Sequence, residues 1–298
     1  MPETRCLLTV HAHPDDEASK GAATCAHYSS LGVRTVLVCC TGGEEGDILN
    51  PAMDTPEVRA DIGRVRREEL ARAAEAIGFS DVVMLGYRDS GMPDTPANAN
   101  PEAFANAPFD EALERLVAVI RRTRPQVVLT YGEDHSGYPH PDHIRVHEIS
   151  VAAFDAAGDP ERFPDAGEPW QPLKLYYAVW SRARFEATHH KMLELGLESP
   201  FDESWFERRA KAAEPVITTR LDIRDSFHVR REALLAHATQ IDPTSPFWFG
   251  LPDEVAREVY PYEDWALARS LVGQPAEGEL EDDLFAGIEV ASGTRADR

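Results

Sequence analysis

The sequence predicts an α/β fold: a Rossmann-like, mainly parallel sheet flanked by helices, with a smaller mixed C-terminal part covering the active site. Three observations predict it. Short apolar runs alternate with helical patterns through the first half of the 298 residues. The runs are apolar almost throughout, as strands covered on both faces are. Polar clusters rich in His, Asp and Glu stand at the ends of four runs, where open α/β sheets bind ligands.

The elements follow in order. RCLLTVH (5–11) is the first strand and stops at a polar cluster. A helix runs from about Asp16 to Leu31, closed by Gly32 where a left-handed cap fits. VRTVLVCC (33–40) is a strand ending at Thr41-Gly42-Gly43. Residues 57–77 form a long helix with Ala, Leu and Ile on one face and Arg and Glu on the other, ending at Gly78. DVVMLG (81–86) is a strand, and Leu113, Leu116, Val117 and Ile120 recur at helical spacing within 109–123. PQVVLTY (125–131) is the fourth strand, and a helix follows from about Asp142 to Ala156. The second half is less regular. Residues 158–172 read as a surface loop, LKLYYAVW (173–180) as a strand, and 185–196, 203–213 and 226–239 as helices. Residues 240–262, with four prolines and Phe247-Trp248-Phe249, read as a lid or subdomain edge. The last 25 residues hold seven acids and two arginines and read as a partly disordered tail.

Composition excludes several classes. Thirty basic against 52 acidic residues give a net charge of −22. Nucleic-acid binding needs clustered Lys and Arg, and docking on anionic lipid needs a basic patch. No apolar run reaches the roughly 18–20 residues of a membrane helix, and no signal peptide is evident. Cys6, Cys25, Cys39 and Cys40 make no C-x-x-C pair and read as buried hydrophobes of a cytoplasmic protein.

The chemistry gathers at the four strand ends. His13 and Asp16 are three apart at a turn entering a helix, so both can face one point. Imidazole plus carboxylate suits zinc or another divalent first-row ion. A catalytic zinc needs a third ligand, which His135, His140 or His143 can offer. Asp15 stands beside the ligands, placed to take a proton from an activated water. His143 and His147 have the zincin spacing, but Ile144 replaces the glutamate that motif uses, so His147 is only a fallback ligand. Glu44 and Glu45 would repel a pyrophosphate, and the loop is not G-x-G-x-x-G, which excludes a dinucleotide enzyme. His189 and His190 read as surface residues, and His228 and His237 as structural ones.

With His13-Pro14-Asp15-Asp16-Glu17 after the first strand and His140-Pro141-Asp142-His143 after the fourth, the chain resembles the LmbE-like (PIG-L) zinc deacetylase family. The resemblance divides it into a metal-binding core (1–160), a part completing the same catalytic domain (161–273) and an acidic flexible tail (274–298). Lys20 and Tyr87-Arg88-Asp89-Ser90-Gly91-Met92 are similar to the branch that cleaves the glucosamine–cysteinyl amide of mycothiol S-conjugates. The resemblance implies His13, Asp16 and His143 as ligands of Zn2+, with Fe2+ also allowed. It implies Asp15 as general base, His140 as general acid oriented by Asp142, and Tyr138 as oxyanion donor. Lys20, Glu45, Arg66, Asp89, Ser90 and Met92 would hold a thiol–sugar conjugate. The rival expectations are an N-acetylglucosaminyl-inositol deacetylase and a non-catalytic sugar-binding protein.

Overall fold

A computed structural model describes residues 4–135, 137–209 and 216–289. Its centre is a seven-stranded sheet. The N-terminal strands are β1 (Cys6–His11), β2 (Arg34–Thr41), β3 (Asp81–Tyr87) and β4 (Val127–Thr130). They are joined by helices α1 (Asp16–Ser19), α2 (Ala22–Ser30), α3 (Pro56–Ala60), α4 (Ile62–Ile77) and α5 (Phe109–Thr123). Helix α6 (Pro141–Ala156) leads to β5 (Lys174–Val179). The remainder comprises α7 (Arg182–Glu194), α8 (Glu203–Arg209), β6 (Thr219–Asp222), α9 (Phe227–Ala236), α10 (Pro246–Phe249), α11 (Asp253–Val259) and β7 (Tyr262–Ser270).

The strand order is β3-β2-β1-β4-β5-β7-β6. The five strands from β3 to β5 are parallel; β7 runs antiparallel to both β5 and β6. The apolar runs of β1, β2 and β4 are buried on both faces. One face packs on Leu113, Leu116 and Ile120 of α5 with Val146 and Ile149 of α6. The other packs on α2 and on Val229, Ala233 and Leu234 of α9. The sheet reverses its chain order at β1, where β2 and β4 flank it, and the crevice for a ligand opens at the carboxyl ends there.

Three expectations change. The helix expected over 16–31 is two helices, because Gly21 has φ +108°, where an added Cβ would lie 3.0 Å from the Trp265 ring. That break turns Lys20 toward the crevice. Strands β6 and β7 lie where no strand was expected, and β7 begins at the edge of the supposed lid. Its buried Glu263 and Asp264 hide it from an apolar pattern. The tail expected to be flexible from 274 is docked as far as it is described: Leu284, Phe285 and Ile288 are buried, and Glu281 pairs with buried Lys174 at 3.0 Å. Residues 290–298, and 210–213 of the expected 203–213 helix, lie outside the described residues. All four cysteines are buried and unpaired. Among the described residues no helix is long and apolar enough to cross a membrane.

Candidate active site

The turn after β1 sets the geometry. Asp15 holds φ +120°, a region that disfavours a side chain. Its neighbours fix it there. Arg66, on α4, donates to the Pro14 carbonyl at 2.6 Å and to Asp15 Oδ2 at 2.9 Å. Glu17 Oε2 accepts from the Asp15 backbone N–H at 3.0 Å, and Glu17 Oε1 lies 2.5 Å from His237 Nε2. Asp15 keeps 27% of its side chain exposed, so a substrate can reach it.

Asp16 then faces the other way. Its Oδ2 lies 3.5 Å from His13 Nδ1 and 3.3 Å from His143 Nε2. His143 reaches the point from the first turn of α6. Donor atoms of His13, Asp16 and His143 lie within 4.8 Å of one another, all buried, and can hold one metal ion. A second group, His13, Asp89, His140 and Asp142, meets the same criterion. The two share His13 and differ in which ring nitrogen they use. His13 Nε2 lies 3.1 Å from Asp142 and 3.5 Å from Asp89, while Nδ1 faces Asp16. Carboxylates on the far nitrogen orient a ligating imidazole and raise its basicity. That arrangement favours the first trio as the ligands.

Electrostatics separate the two adjacent aspartates. Burial alone would raise Asp16, but Lys20, His143 and His13 outweigh it and hold the carboxyl well below the usual range. Burial raises Asp15 above that range, against the pull of Arg66. One carboxylate therefore stays charged, and the other has gained proton affinity. Burial pushes His143 down to about 4, leaving its ring neutral. Burial, then the charge of His13, lowers His140. His140 Nδ1 accepts from the Asp142 backbone N–H at 3.2 Å, which leaves the proton of the neutral ring on Nε2.

The expected site residues divide in two. Lys20, Tyr138, Glu45 and Met92 reach the rim. Lys20 Nζ sits 2.6 Å from Asp16 Oδ1, between the rings of Tyr131 and Trp180. Tyr138 is 53% exposed above His143, and Glu45 pairs with Arg88. Arg66, Asp89, Ser90 and Asp142 are buried instead. Asp142 was expected to orient His140 through its carboxylate. That carboxylate accepts from Ser90 N at 2.9 Å and Ser90 Oγ, and meets His13. Ser90 is fully buried holding it, and Arg66 holds Asp15 while its Nε has no hydrogen-bond partner among the described residues. His147 Nδ1 lies 3.0 Å from the Tyr131 carbonyl, and His135 stands 5.9 Å from its ring, outside both groups.

Three contributors escaped the sequence. Tyr131 donates to Asp16 Oδ2 at 2.7 Å, accepts from Ala12 N at 2.8 Å and stacks on His143 at 4.4 Å. Its signal was its place at the end of the fourth strand. Glu17 and His237 form the buried pair behind Asp15, 220 residues apart in the chain. Glu17 closes the motif after the first strand, where the resemblance implies no role for it, and no local pattern marks His237.

The profile for the family described as PIG-L: GlcNAc-PI de-N-acetylase matches residues 8–154. A mycothiol S-conjugate amidase of Streptomyces coelicolor is 48% identical over 297 residues, covering 97% of this chain and 99% of that one. A 1D-myo-inositol 2-acetamido-2-deoxy-alpha-D-glucopyranoside deacetylase of Geodermatophilus obscurus is 43% identical over 296 residues, covering 97% and 99%. The N,N'-diacetylchitobiose deacetylase of Pyrococcus horikoshii superposes with a TM-score of 0.61 at 15% identity, covering 89% of this chain and 84% of that one. That likeness concerns the fold.

Proposed function

The chain belongs to the PIG-L, GlcNAc-PI de-N-acetylase family, and from that premise we propose that it is a zinc-dependent amidase of mycothiol S-conjugates. It hydrolyses the amide between the glucosamine nitrogen and the acylated cysteine, giving a mercapturate and glucosaminyl-inositol in a thiol-dependent detoxification. The observation that carries the reading is Asp15, half-buried and of raised proton affinity, beside a trio able to hold a metal. The four buried, unpaired cysteines fit a cytoplasmic setting.

His13, Asp16 and His143 would hold the ion, and iron(II) also suits this donor set. When bound, it supplies Lewis acidity to the amide carbonyl and to water. Asp15 accepts the proton of the attacking water, and Arg66 aims its carboxylate. Tyr138 donates its hydroxyl to the developing oxyanion from the rim. The proton taken up by Asp15 passes on to the departing glucosamine nitrogen, while His140, neutral and with its proton on Nε2, hydrogen-bonds the reacting centre from the other side. Lys20, Glu45 and Met92 contact the substrate, and Lys20 meets its acyl arm.

The second reading is deacetylation of N-acetylglucosaminyl-inositol, favoured by the 43% relative that spans nearly the whole chain. Incubating zinc-loaded protein with the bimane conjugate of mycothiol separates the two. Release of the bimane mercapturate supports the amidase. No release, with ready deacetylation of the acetylated sugar, would establish the second reading.

A further inference from the structure

On the far side of Trp180 from Lys20 lies a cavity lined by aromatic rings. Trp180 stands at the junction. Its ring lies 5.7 Å from the Lys20 ammonium, and its Nε1 donates to the Ser19 carbonyl at 3.3 Å. It also meets Phe247 and Trp248 of α10 at 6.1 and 5.9 Å and Phe185 of α7 at 5.9 Å. Trp180, Arg184, Tyr262 and Glu263 form the wall shared by the cavity and the small space beside Lys20.

The cavity carries surplus positive charge in a chain of net charge −22. Arg231 is paired with Asp253 at 3.2 Å, but Arg184 and Arg230 have only the charge of Glu263 in common. Glu263 is already engaged by Thr24 N and Oγ1 at 2.9 and 2.6 Å. Arg230 Nε is sealed from solvent with no hydrogen-bond partner among the described residues. Burial and the neighbouring Arg184 push Arg230 down to about 9. Arg230 Nε is thus a buried donor without an acceptor, set beside a second guanidinium.

We propose that this cavity binds the sulfur substituent of the conjugate and selects aromatic substituents that bear an acid group. The inference rests on the amidase reading, which puts the scissile amide at the metal trio and the cysteinyl arm past Lys20. The sulfur then reaches Trp180. An aromatic ring beyond it stacks among Trp180, Phe247 and Trp248, and its carboxylate meets Arg184 and Arg230.

The test titrates the full chain with N-acetyl-S-(4-carboxybenzyl)cysteine and with N-acetyl-S-benzylcysteine, following tryptophan fluorescence. The carboxylated ligand should bind about tenfold more tightly. Arg230→Met should remove that advantage, and Arg230→Lys should restore part of it. Equal affinity of the two ligands for the unaltered protein overturns the inference whatever the variants do. If the selectivity appears but no mycothiol conjugate is cleaved, the amidase reading fails and the cavity assignment stands. If conjugates are cleaved without selectivity between the two substituents, the inference alone fails.

Discussion

At the scale of single residues, the two neighbouring aspartates carry the argument. Asp15→Asn keeps the turn and removes the proton acceptor, so kcat should fall roughly 10²–10⁴-fold with the metal retained. Metal content measured beside kcat checks this; loss of the ion would make Asp15 a ligand. A buried histidine supplies a pH signature. Burial pushes His11 down to about 4 from the ordinary 6.5. The unfolded chain therefore binds the proton more readily. The contribution of neutral His11 is complete above 6.5 and is lost as pH falls toward 4, by about 3 kcal/mol. Denaturant titrations of metal-stripped protein at pH 7 and 4.5 should show a smaller loss for His11→Gln than for the natural chain; equal losses would contradict it. The motifs that bring together a group able to hold a metal were legible because His13, Asp16 and His143 sit in short local patterns. The roles of Arg66, Ser90 and Asp142 were not, because each depends on a bond to a distant part of the chain.

At the scale of elements, the break between α1 and α2 places Lys20. Gly21→Ala must accept φ +108° and a Cβ 3.0 Å from Trp265. It should cost about 1–3 kcal/mol, read from the urea midpoint, and lower activity by displacing Lys20. An unchanged midpoint would show that the turn relaxes freely. Strands β1, β2 and β4 were legible because they are buried along nearly their whole length and mostly apolar. Strand β7 was not, because the partners of Glu263 and Asp264 are Thr24 in α2 and Arg220 in β6. A strand that buries charge against remote partners has no period-2 signature.

For the whole molecule, the C-terminal segment closes the fold rather than trailing from it. Glu281 neutralises Lys174, whose side chain is 1% exposed in β5. Glu281→Gln leaves that ammonium unpaired and should cost about 3–5 kcal/mol, and Lys174→Met in the same chain should recover most of it. Thermal denaturation of the natural chain and the two variants measures this. Acidic composition alone suggested a solvated tail, because the apolar Leu284, Phe285 and Ile288 are few and interspersed with charge. The account as a whole depends on which side chains grip the ion. Zinc affinity by competition with a chromogenic chelator decides it, on the natural chain and on His143→Ala and His140→Ala. The account predicts one ion per chain, at least 100-fold weaker binding for His143→Ala, and nearly unchanged binding for His140→Ala. Release of the ion by His140→Ala, with His143→Ala still loaded, would move the metal to the His13–Asp89–His140–Asp142 group and contradict it.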